Sequence, residues 1–495
     1  MNILGISAGF HDAAVTLINQ HGDILFAGHS ERYSKIKHDA KLCNGLIEDA
    51  MSYGTPDMIA YYERPWVKKT RQLYAGQYSE LTTPWTVRGI LSDIPGVNDI
   101  PIETYNHHLS HAAAGFQTSA FNDATVVVID AIGEWDTISI WSAYYEHGRA
   151  KYKKVWGQKY PHSIGLMYSA FTKEVGLRPL DEEYILMGMA GWAKKNTSRL
   201  SDQLSNWLVD HEFDLTLKHN LHIGLPDNNI KASWTDFEIA NAAQTLTEQL
   251  IHNIMHKAMT LAPNSNLVYS GGVALNCSAN RDLGEYFDNI WIMPNPGDAG
   301  SSLGAAALAY GGKLNWVDAF LGYNIPGPYP VTDVVSELVT NKIVGVASGR
   351  AEFGPRALGN RSLLADPRGP DIKDAVNLIK RRQQFRPFAP IIMEEFVDEY
   401  FEMPNGFKTS PYMQTTAKCL RPKEFPAIIH VDGTSRVQTV PKDGSGIRQL
   451  LEAWYVWTGC PMLLNTSLNI RGEPMVNDRA DADRFEQLYG VKVLS

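Results

Sequence analysis

The chain opens with the stretch ILGISAGFHDAAVTLI at residues 3–18, which predicts two short apolar strands joined by a turn. The first strand ends at Ser7, a turn of small residues follows, and a third strand is predicted at residues 24–27. The same plan returns at residues 125–141, where an apolar run rich in β-branched residues ends at Asp130. The sequence therefore predicts an α/β fold with an internal duplication.

This strand–turn–strand opening resembles the first phosphate-binding segment of the ATPase scaffold shared by actin, sugar kinases and heat-shock chaperones. That scaffold requires two related halves, which the second copy of the plan supplies. His11 lies on the first turn. It is either a hydrogen-bonded turn residue or a general base, since the unperturbed pKa of an imidazole lies near neutrality.

A pair of histidines marks the stretch NHHLSH at residues 106–111. His107 and His111 stand four residues apart, and on a helix this spacing places both imidazoles on one face, one turn apart. The following run at 112–116 consists mostly of alanine and suits a helix. The two side chains are therefore either cis ligands of a metal ion or a pair of surface or capping histidines.

Two acidic residues strengthen the metal hypothesis. Asp130 lies at the carboxyl end of a buried strand, and Asp298 lies in a glycine-rich turn before an alanine-rich helix at 303–310. Two histidines and two carboxylates suit a divalent ion such as iron(II), zinc or manganese. The sequence thus predicts a metal site made of four residues that are distant along the chain.

Glycines follow a third predicted strand. Residues 267–276 read as a strand, a turn at Gly271 and Gly272, and the start of a helix, an arrangement that lets a backbone approach a phosphate or an adenosine. An amphipathic helix with a core role is predicted at 237–261. The segment 186–191, which contains Gly188, is predicted to be a flexible loop.

Glycine and proline cluster near residues 320–335 and predict a boundary between a first domain, 1–325, and a second, 335–495. The second domain gathers cations and amides although the whole chain is acidic. Arginine forks suit bidentate capture of phosphate, so this domain is predicted to hold a small phosphorylated anion. The residues that carry this prediction include Arg350, Arg356, Arg361, Lys380, Arg381, Arg382, Arg386, His430, Arg436, Asn465 and Ser467.

Bulk properties exclude several classes of protein. The formal net charge is −9, and no basic run tracks a phosphate backbone, so a polymeric nucleic-acid partner is not favoured. The 4 cysteines form no CxxC pair and indicate free thiols in a reducing compartment. No apolar run is long enough to span a bilayer, and the first residues lack the pattern of a signal peptide. We therefore expect a cytoplasmic protein without a membrane partner, of undetermined oligomeric state.

Taken together, the motifs resemble the O-carbamoyltransferases of nodulation-factor, cephamycin and tobramycin biosynthesis. The resemblance runs from His11 to Val476, and its most specific part is the arginine motif at residues 352–362. It also includes the histidine stretch at 106–111, the glycine turn at 271–276, residues 430–434 and residues 465–467. The resemblance implies that the first domain is like the universal tRNA threonylcarbamoyl-transfer protein. It implies that the second is like the YrdC-type domain that forms carbamoyl adenylate.

The resemblance also implies a reaction. Carbamoyl phosphate and ATP, with Mg²⁺, would give carbamoyl adenylate, and the carbamoyl group would then pass to the hydroxyl of a small acceptor. The implied roles are His11 as the general base, His107, His111, Asp130 and Asp298 as iron(II) ligands, and Asp130, Gly188, Gly272 and Asn276 as adenylate-binding residues. The implied carbamoyl phosphate and ATP site consists of Arg356, Asn360, Arg361, Lys380, Arg382, His430, Arg436, Asn465 and Ser467.

Two positions depart from the family pattern, since Ile185 stands where a lysine is usual and Gln383 where a glutamate is usual. Each departure removes a charge near a predicted site. Two other functions stay open on the sequence alone. One is carbamoylation of a nucleoside or nucleotide, and the other is a kinase or nucleotide-binding protein on the ATPase scaffold. A kinase, however, needs no second domain rich in cations.

Overall fold

The structure, a computed structural model, describes residues 1–97, 99–211, 214–226 and 229–495. These residues divide into two units. The first unit consists of Met1–Ser30, His38–Ala279 and Leu283–Val317, and the second of Glu31–Lys37, Asn280–Asp282 and Asp318–Ser495. The domain limits predicted from the sequence, 1–325 and 335–495, stay predictions.

A five-stranded sheet of order β3-β2-β1-β4-β5 forms the first half of the first unit. Strand β1 pairs antiparallel with β2 and parallel with β4, and β4 pairs parallel with β5. The elements are β1 (Ile3–Ser7), β2 (Ala14–Ile18), β3 (Ile24–His29), α1 (Glu31–Ser34, in the second unit), α2 (Asn44–Ser52), β4 (Met58–Tyr61), α3 (Pro65–Tyr74), α4 (Val87–Ile90), β5 (Ile102–Thr104) and α5 (His107–Phe116).

A second sheet, of order β12-β11-β6-β7-β8, forms the other half. Its elements are β6 (Asp123–Gly133), β7 (Asp136–Glu146), β8 (Arg149–Lys159), α6 (Ile164–Glu174), α7 (Glu183–Ala190), α8 (Ser198–Leu208), β9 (Val209–His211), β10 (Thr216–Leu217), α9 (Asp236–Leu261), β11 (Asn266–Ser270), α10 (Cys277–Asn280), β12 (Asn289–Trp291) and α11 (Ser301–Tyr310). Strands β9 and β10 form a separate pair.

The two sheets have the same topology. In each, a central strand has an antiparallel hairpin on one side and two parallel strands on the other, so β6 corresponds to β1 and β11 to β4. Helix α5 follows the last strand of the first sheet as α11 follows the last strand of the second. The duplication predicted from residues 3–27 and 125–141 is therefore confirmed, and the unit has the duplicated ATPase scaffold.

Small residues let the two corresponding helices approach closely. A Cβ atom built on Gly304 of α11 would lie 1.8 Å from the carbonyl oxygen of Ser110 on α5. A Cβ atom on Gly5 of β1 would lie 1.9 Å from the carbonyl oxygen of Ser302. Only glycine fits at these two contacts, and they fix the start of α11 against both α5 and β1.

The second unit is built on a mixed six-stranded sheet of order β21-β17-β22-β16-β14-β23, next to two smaller sheets. A hydrophobic core lies between this sheet and its helices. The elements are β13 (Phe320–Ile325), α12 (Val331–Asn341), β14 (Ile343–Ala347), β15 (Gly349–Glu352), β16 (Arg361–Ala365), α13 (Ile372–Ile379), β17 (Ala389–Met393), α14 (Val397–Tyr400), β18 (Phe401–Glu402), β19 (Ala417–Cys419), β20 (Thr434–Ser435), β21 (Gln438–Val440), α15 (Gly446–Thr458), β22 (Met462–Ser467), α16 (Arg479–Tyr489) and β23 (Val493–Leu494). The YrdC likeness of this unit stays a prediction.

One predicted loop is wrong. Residues 186–191 were expected to be flexible because they contain two glycines, but most of them lie in α7. Ile185, Leu186, Met189 and Ala190 are buried at helical spacing, and α7 packs against α9. Burial of this apolar face outweighs the low helix propensity of Gly188.

The long helix predicted at 237–261 is confirmed as α9, which has 26 residues. Its first turn is fixed by a capping box, in which the side chain of Thr235 accepts from the N–H of Glu238 and the side chain of Glu238 accepts in return. No helix within the described residues combines the length and the apolar character needed to cross a membrane.

Candidate functional site

Four side chains that the sequence singled out meet in the first unit. His107, His111, Asp130 and Asp298 are buried, and each offers a ligand atom within 4.8 Å of the others. His107 Nε2 lies 3.1 Å from His111 Nε2 and 3.5 Å from Asp130 Oδ2. Asp298 Oδ1 lies 3.3 Å from the Nε2 atoms of both histidines. We call these four residues the His–Asp cluster.

The start of α5 positions both imidazoles. Asn106 caps the helix, and its side chain accepts a hydrogen bond from the backbone N–H of Leu109 at 3.0 Å. The other ring nitrogens also have partners, since His107 Nδ1 lies 3.4 Å from Glu63 Oε2 and His111 Nδ1 lies 3.1 Å from Ser301 Oγ. A second partner on the far nitrogen is the usual device that orients a metal-binding histidine.

The two carboxylates come from the second half of the duplication. Asp130 lies where the pairing of β6 with β7 becomes irregular, between Ile129 and Gly133. Its Oδ1 atom accepts a hydrogen bond from the backbone N–H of Gly272 at 3.2 Å. Asp298 lies in the short 3₁₀ turn that leads into α11. Both carboxylates are thereby held at the same edge of the fold as the histidines.

The cluster places carboxylates against imidazoles in a buried site, where each group shifts the pKa of the others. Burial would raise the pKa of Asp298, but His107 and His11 hold that pKa well below its usual value. Burial and Asp298 would raise the pKa of Asp130, yet His107 and His111 lower it to about 2. Burial would lower the pKa of His107, whereas Asp298 and Asp130 raise it well above its usual value. Both acids are therefore carboxylates at neutral pH.

This donor set fits a divalent transition-metal ion. Two imidazoles and two carboxylates match the nitrogen and oxygen ligands that iron(II), zinc and manganese accept in proteins. A cation between two carboxylates buried this close together would also offset their mutual repulsion. The ligand roles of these residues stay predictions.

His11 lies beside the cluster, on the turn between β1 and β2. Its Nε2 atom is 3.6 Å from Asp298 Oδ2, and its Nδ1 atom is 3.0 Å from Asp12 Oδ2. Asp12 also contacts His38 at 2.7 Å, and His38 Nε2 lies 2.9 Å from Asp181. Burial would lower the pKa of His11, but Asp298 and Asp12 raise it. A line of alternating acids and imidazoles thus orients the His11 ring.

The glycine turn after β11 approaches Asp130. Gly271 has a φ of +90°, and a Cβ atom there would lie 2.2 Å from the carbonyl oxygen of Ile129. The next residue, Gly272, uses its N–H to hold Asp130. The turn therefore contributes directly to the cluster, in addition to its predicted contact with an adenylate.

The other two predicted adenylate-binding residues have different surroundings. The amide of Asn276 pairs with that of Gln244, at 3.0 and 3.1 Å, and its oxygen also accepts from the N–H of Ala279. Gly188 lies on α7, and a Cβ atom there would meet nothing within 4 Å. Asn276 is thus engaged with the protein, whereas open space lies beside Gly188.

In the second unit, two predicted residues, Lys380 and Ser467, meet between α13 and β22. Lys380 follows α13, and its Nζ atom donates to Ser467 Oγ at 3.2 Å and to the carbonyl oxygen of Asn469 at 2.8 Å. Burial, with Arg382 and Arg386 nearby, holds the pKa of Lys380 well below its usual value. Asn465 lies on the same strand as Ser467, and its Oδ1 atom is buried without a hydrogen-bond partner among the described residues.

The other predicted cations of this unit are spread over several segments. Arg382 donates to Asn377 Oδ1 at 2.6 Å and lies over the ring of Phe388. His430 Nδ1 lies 3.2 Å from Asp432, and Arg436 has a buried Nε atom without a partner in the described part of the chain. The remaining predicted residue, Arg356, is half-buried after Pro355.

Arg361 differs from its expected role. Its guanidinium is fully buried and donates to five backbone carbonyl oxygens, those of Asn477, Ser348, Asn360, Tyr323 and Gly349. All five N–H groups are thus engaged within the protein. The neighbouring Asn360 is held by the carboxylate of Glu352 and the carbonyl of Arg350. Arg361 therefore organises the arginine motif and has no N–H left for a phosphate.

The two residues that depart from the family pattern, Ile185 and Gln383, both have buried side-chain atoms. Ile185 is 1% exposed and packs in the apolar face of α7. Gln383 has a buried Oε1 atom without a partner among the described residues. The first substitution thus contributes to the core of the first unit.

Several residues around the cluster were missed from the sequence. Glu63 and Ser301 orient the histidines, and Asp12 and His38 orient His11. Glu63 lies two residues after the end of β4, so its place at the end of a strand was an available signal. Ser301 and His38 carry no comparable pattern, because only the folded chain brings them to the site.

Comparison with known proteins identifies the family. The model of the carbamoyltransferase N-terminus matches residues 87–307, and that of the carbamoyltransferase C-terminus matches residues 335–495. An uncharacterised protein of Synechocystis is 33% identical, over 98% of this chain and 94% of that protein. The nodulation protein NolO of Bradyrhizobium diazoefficiens is 30% identical, over 76% of this chain and 75% of that protein. The nodulation protein NolNO of Sinorhizobium fredii is 29% identical, over 95% of this chain and 76% of that protein.

The two family models match a large part of each unit, and the sequence-based resemblance is confirmed. The chain belongs to the carbamoyltransferase family, and it is an enzyme that transfers a carbamoyl group.

Proposed function

We propose that the protein is an ATP-dependent O-carbamoyltransferase that acts on a hydroxyl group of a small acceptor. The observation that carries the proposal is the meeting of two imidazoles and two carboxylates within 4.8 Å, with His11 beside them. A site that combines a metal ion with a base is suited to acyl transfer to a hydroxyl.

The first reaction is assigned to the domain predicted at 335–495. Carbamoyl phosphate loses its phosphate to water, and the carbamate attacks the α-phosphorus of ATP, which releases pyrophosphate and leaves carbamoyl adenylate. Lys380 and Ser467 are proposed to bind the phosphate groups, with Mg²⁺ shielding the charge of ATP. The unpaired Oδ1 atom of Asn465 would accept from the carbamoyl amide, and Arg436 would add charge.

The second reaction is assigned to the domain predicted at 1–325. His107, His111, Asp130 and Asp298 would hold iron(II) or another divalent ion, which supplies a Lewis acid that polarises the carbamoyl carbonyl. The glycine turn at 271–272 is proposed to lie along the adenylate, because its backbone is free of side chains. His11 accepts the proton of the acceptor hydroxyl at Nε2, while Asp12 holds the proton on Nδ1. The hydroxyl oxygen forms a bond to the carbamoyl carbon, and AMP leaves.

The test of the proposal is the fate of ATP. The full chain is incubated with carbamoyl phosphate, ATP and Mg²⁺, and pyrophosphate and ADP are both measured. We expect pyrophosphate, dependent on carbamoyl phosphate, whereas release of ADP indicates a kinase and no turnover indicates a nucleotide-binding protein. Lys380→Met should lose pyrophosphate release, and Lys418→Met, at a lysine whose side chain is 71% exposed, serves as the matched control.

A further inference from the structure

A cleft beside the His–Asp cluster contains polar groups that the proposed mechanism does not use. It lies within the first unit, and His107 and Asp298 form part of its wall. Helix α3 contributes Lys68, Arg71 and Gln72. The predicted adenylate-binding residues Gly188, Gly272 and Asn276 do not line it. The glycine turn is therefore not part of the wall of this cleft.

Arg71 is the unusual cation of this cleft. It is 4% exposed, and its guanidinium donates to the backbone carbonyl of Glu134 and to the side-chain oxygen of Gln77. Within the described residues, no carboxylate lies within 4.0 Å of it. Glu63 and Glu80 act on it only from farther away. The guanidinium also lies over the ring of Tyr160, with its central carbon 5.9 Å from the ring centroid. Because its hydrogen bonds go to neutral oxygens, its charge can still attract an anion.

Two neighbouring cations, Lys68 and Arg64, differ from Arg71 because each has a carboxylate partner. Lys68 is also on α3 and buried, but its Nζ atom lies 2.8 Å from Glu63 Oε1. Arg64, just before α3, makes a bidentate pair with Glu134. Both of these cations are paired with a carboxylate, whereas Arg71 has none within 4.0 Å among the described residues, although Glu80 also lines the cleft.

Two further polar atoms of the cleft are buried without a partner in the described part of the chain. They are Oε1 of Gln72, next to Arg71 in sequence, and the hydroxyl of Tyr62, whose ring lies 5.0 Å from that of His107. Gln72 is 3% exposed and Tyr62 is fully buried. A buried polar atom left unpaired costs free energy, so such atoms indicate a place where a ligand completes the hydrogen bonds.

We propose that this cleft binds the carbamoyl acceptor and that the acceptor is an acid, a hydroxylated carboxylate or phosphate ester whose anionic group is bound by Arg71. This inference rests on the proposed function, since it assigns the substrate class of the same site. Gln72 Oε1 accepts from a hydroxyl or N–H group of the acceptor. The hydroxyl of Tyr62 donates to the end of the acceptor near the cluster, where His11 takes the proton from the reacting hydroxyl.

The experiment uses the full chain with iron(II), Mg²⁺, ATP and ¹³C-carbamoyl phosphate. Acceptors are offered as matched sets that differ in charge: galactose, galacturonate and galactosamine; glycerol and glycerate; uridine and uridine monophosphate. Carbamoylated products are measured by mass spectrometry, and pyrophosphate is measured in parallel. Binding of each compound without ATP is measured by saturation-transfer NMR, which does not depend on turnover.

We expect at least one acid to be bound and carbamoylated better than its neutral partner by about 10-fold or more. Arg71→Gln should remove most of this preference, a loss of about 10-fold, while pyrophosphate release, which is assigned to the other domain, continues. Arg71→Lys, which keeps the charge, should retain part of the preference and guards against misfolding of the glutamine variant. Arg199→Gln, at an exposed arginine of the same unit, should behave as the wild type.

Three results would overturn the inference while the proposed function stands, because pyrophosphate is still released. They are a preference for the neutral or amino partner, an acid preference that survives in Arg71→Gln, or no acid bound or carbamoylated above its neutral partner. Absence of pyrophosphate release in the wild type would instead overturn the proposed function, and with it this inference.

Discussion

The two halves of the first unit share one topology but carry different chemistry. The half built on β1–β5 contributes imidazoles: His107 and His111 at the start of α5, and His11 on the first hairpin turn. The half built on β6–β12 contributes carboxylates and backbone N–H groups, through Asp130 on its hairpin and Gly272 after β11. Asp298 lies just before α11, the helix that corresponds to α5 with its two histidines.

This difference teaches how a duplicated fold becomes a mixed-ligand site. Corresponding strand ends and helix starts meet at one edge, so each half brings its side chains to the same point. The close packing of α5 on α11, at Ser110 and Gly304, brings the two helix starts together. One half can then supply neutral donors and a base, and the other can supply the negative charge that a divalent ion requires.

The largest effect is expected when one ligand is removed from either half. His107→Ala and Asp298→Ala should each abolish carbamoyl transfer, because neither half alone provides a complete ligand set. Pyrophosphate release should continue in both variants. Product formation and pyrophosphate are measured together in the full chain.

The matched control for these variants is His108→Gln. His108 lies on the same turn of α5, but its Nδ1 atom contacts Ser139 and its ring takes no part in the cluster. Transfer should survive in this variant. If either ligand variant transfers as well as the control does, that residue is not a ligand and the division between the halves is wrong.

The next largest effect is expected at the base of the first half. His11→Asn should lower transfer by about 10²- to 10⁴-fold, the usual contribution of general base catalysis, while adenylate still forms. His21→Asn, on the next hairpin turn of the same half, should leave the rate unchanged. Wild-type product yield from the His11 variant would remove His11 from the mechanism.

A smaller effect tests the packing between the halves. Gly304→Ala should lower the free energy of unfolding by about 1–3 kcal/mol, because the new Cβ atom would lie 1.8 Å from the carbonyl oxygen of Ser110. Gly188→Ala, also in a helix but with nothing within 4 Å of the new atom, should stabilise by about 0.5–1 kcal/mol. Denaturant unfolding measures the free energy of unfolding of each variant. Equal values for the two variants would contradict the predicted difference.

The smallest effect is expected at Asp12, the carboxylate that contacts both His11 and His38. Burial would raise the pKa of Asp12, but hydrogen bonds with His11 and His38 lower it further than burial raises it. Because the folded pKa lies below the unfolded value, this stabilisation is complete above about pH 4 and is lost as the pH falls below it. Asp12→Asn should therefore unfold with a shallower pH dependence between about pH 5 and 3 than the wild type. Asp202→Asn, at an exposed acid, should keep the wild-type slope.

Much of this fold was predictable because its signals are local. The alternation of short apolar runs and small-residue turns at 3–27 and 125–141 gave both hairpins, and the capped stretch at 106–116 gave α5. Helix α7 was missed because two glycines outweighed the spacing of Ile185, Leu186 and Met189. Burial of these apolar side chains within the fold stabilises the helix despite the two glycines. The segments 31–37 and 280–282 group with the second unit through contacts that no local pattern reveals.

The site was predictable where ligand types fall at strand ends and on one helix face. His107, His111, Asp130 and Asp298 have such positions, and they meet. The arginine motif shows the limit of this reasoning. Arg361 has the residue type and setting of a phosphate ligand, but five carbonyl oxygens occupy its donors. Whether an arginine faces a ligand or its own backbone depends on the path of distant segments, which spacing does not encode.

The most direct test of the central claim is X-ray absorption spectroscopy of the full chain after anaerobic loading with iron(II). The account predicts one ion per chain whose ligands are two imidazole nitrogens with carboxylate oxygens. It also predicts loss of the imidazole scattering in His107→Ala. An iron environment without imidazole nitrogen, or one that is unchanged in that variant, would contradict a centre shared between the two halves.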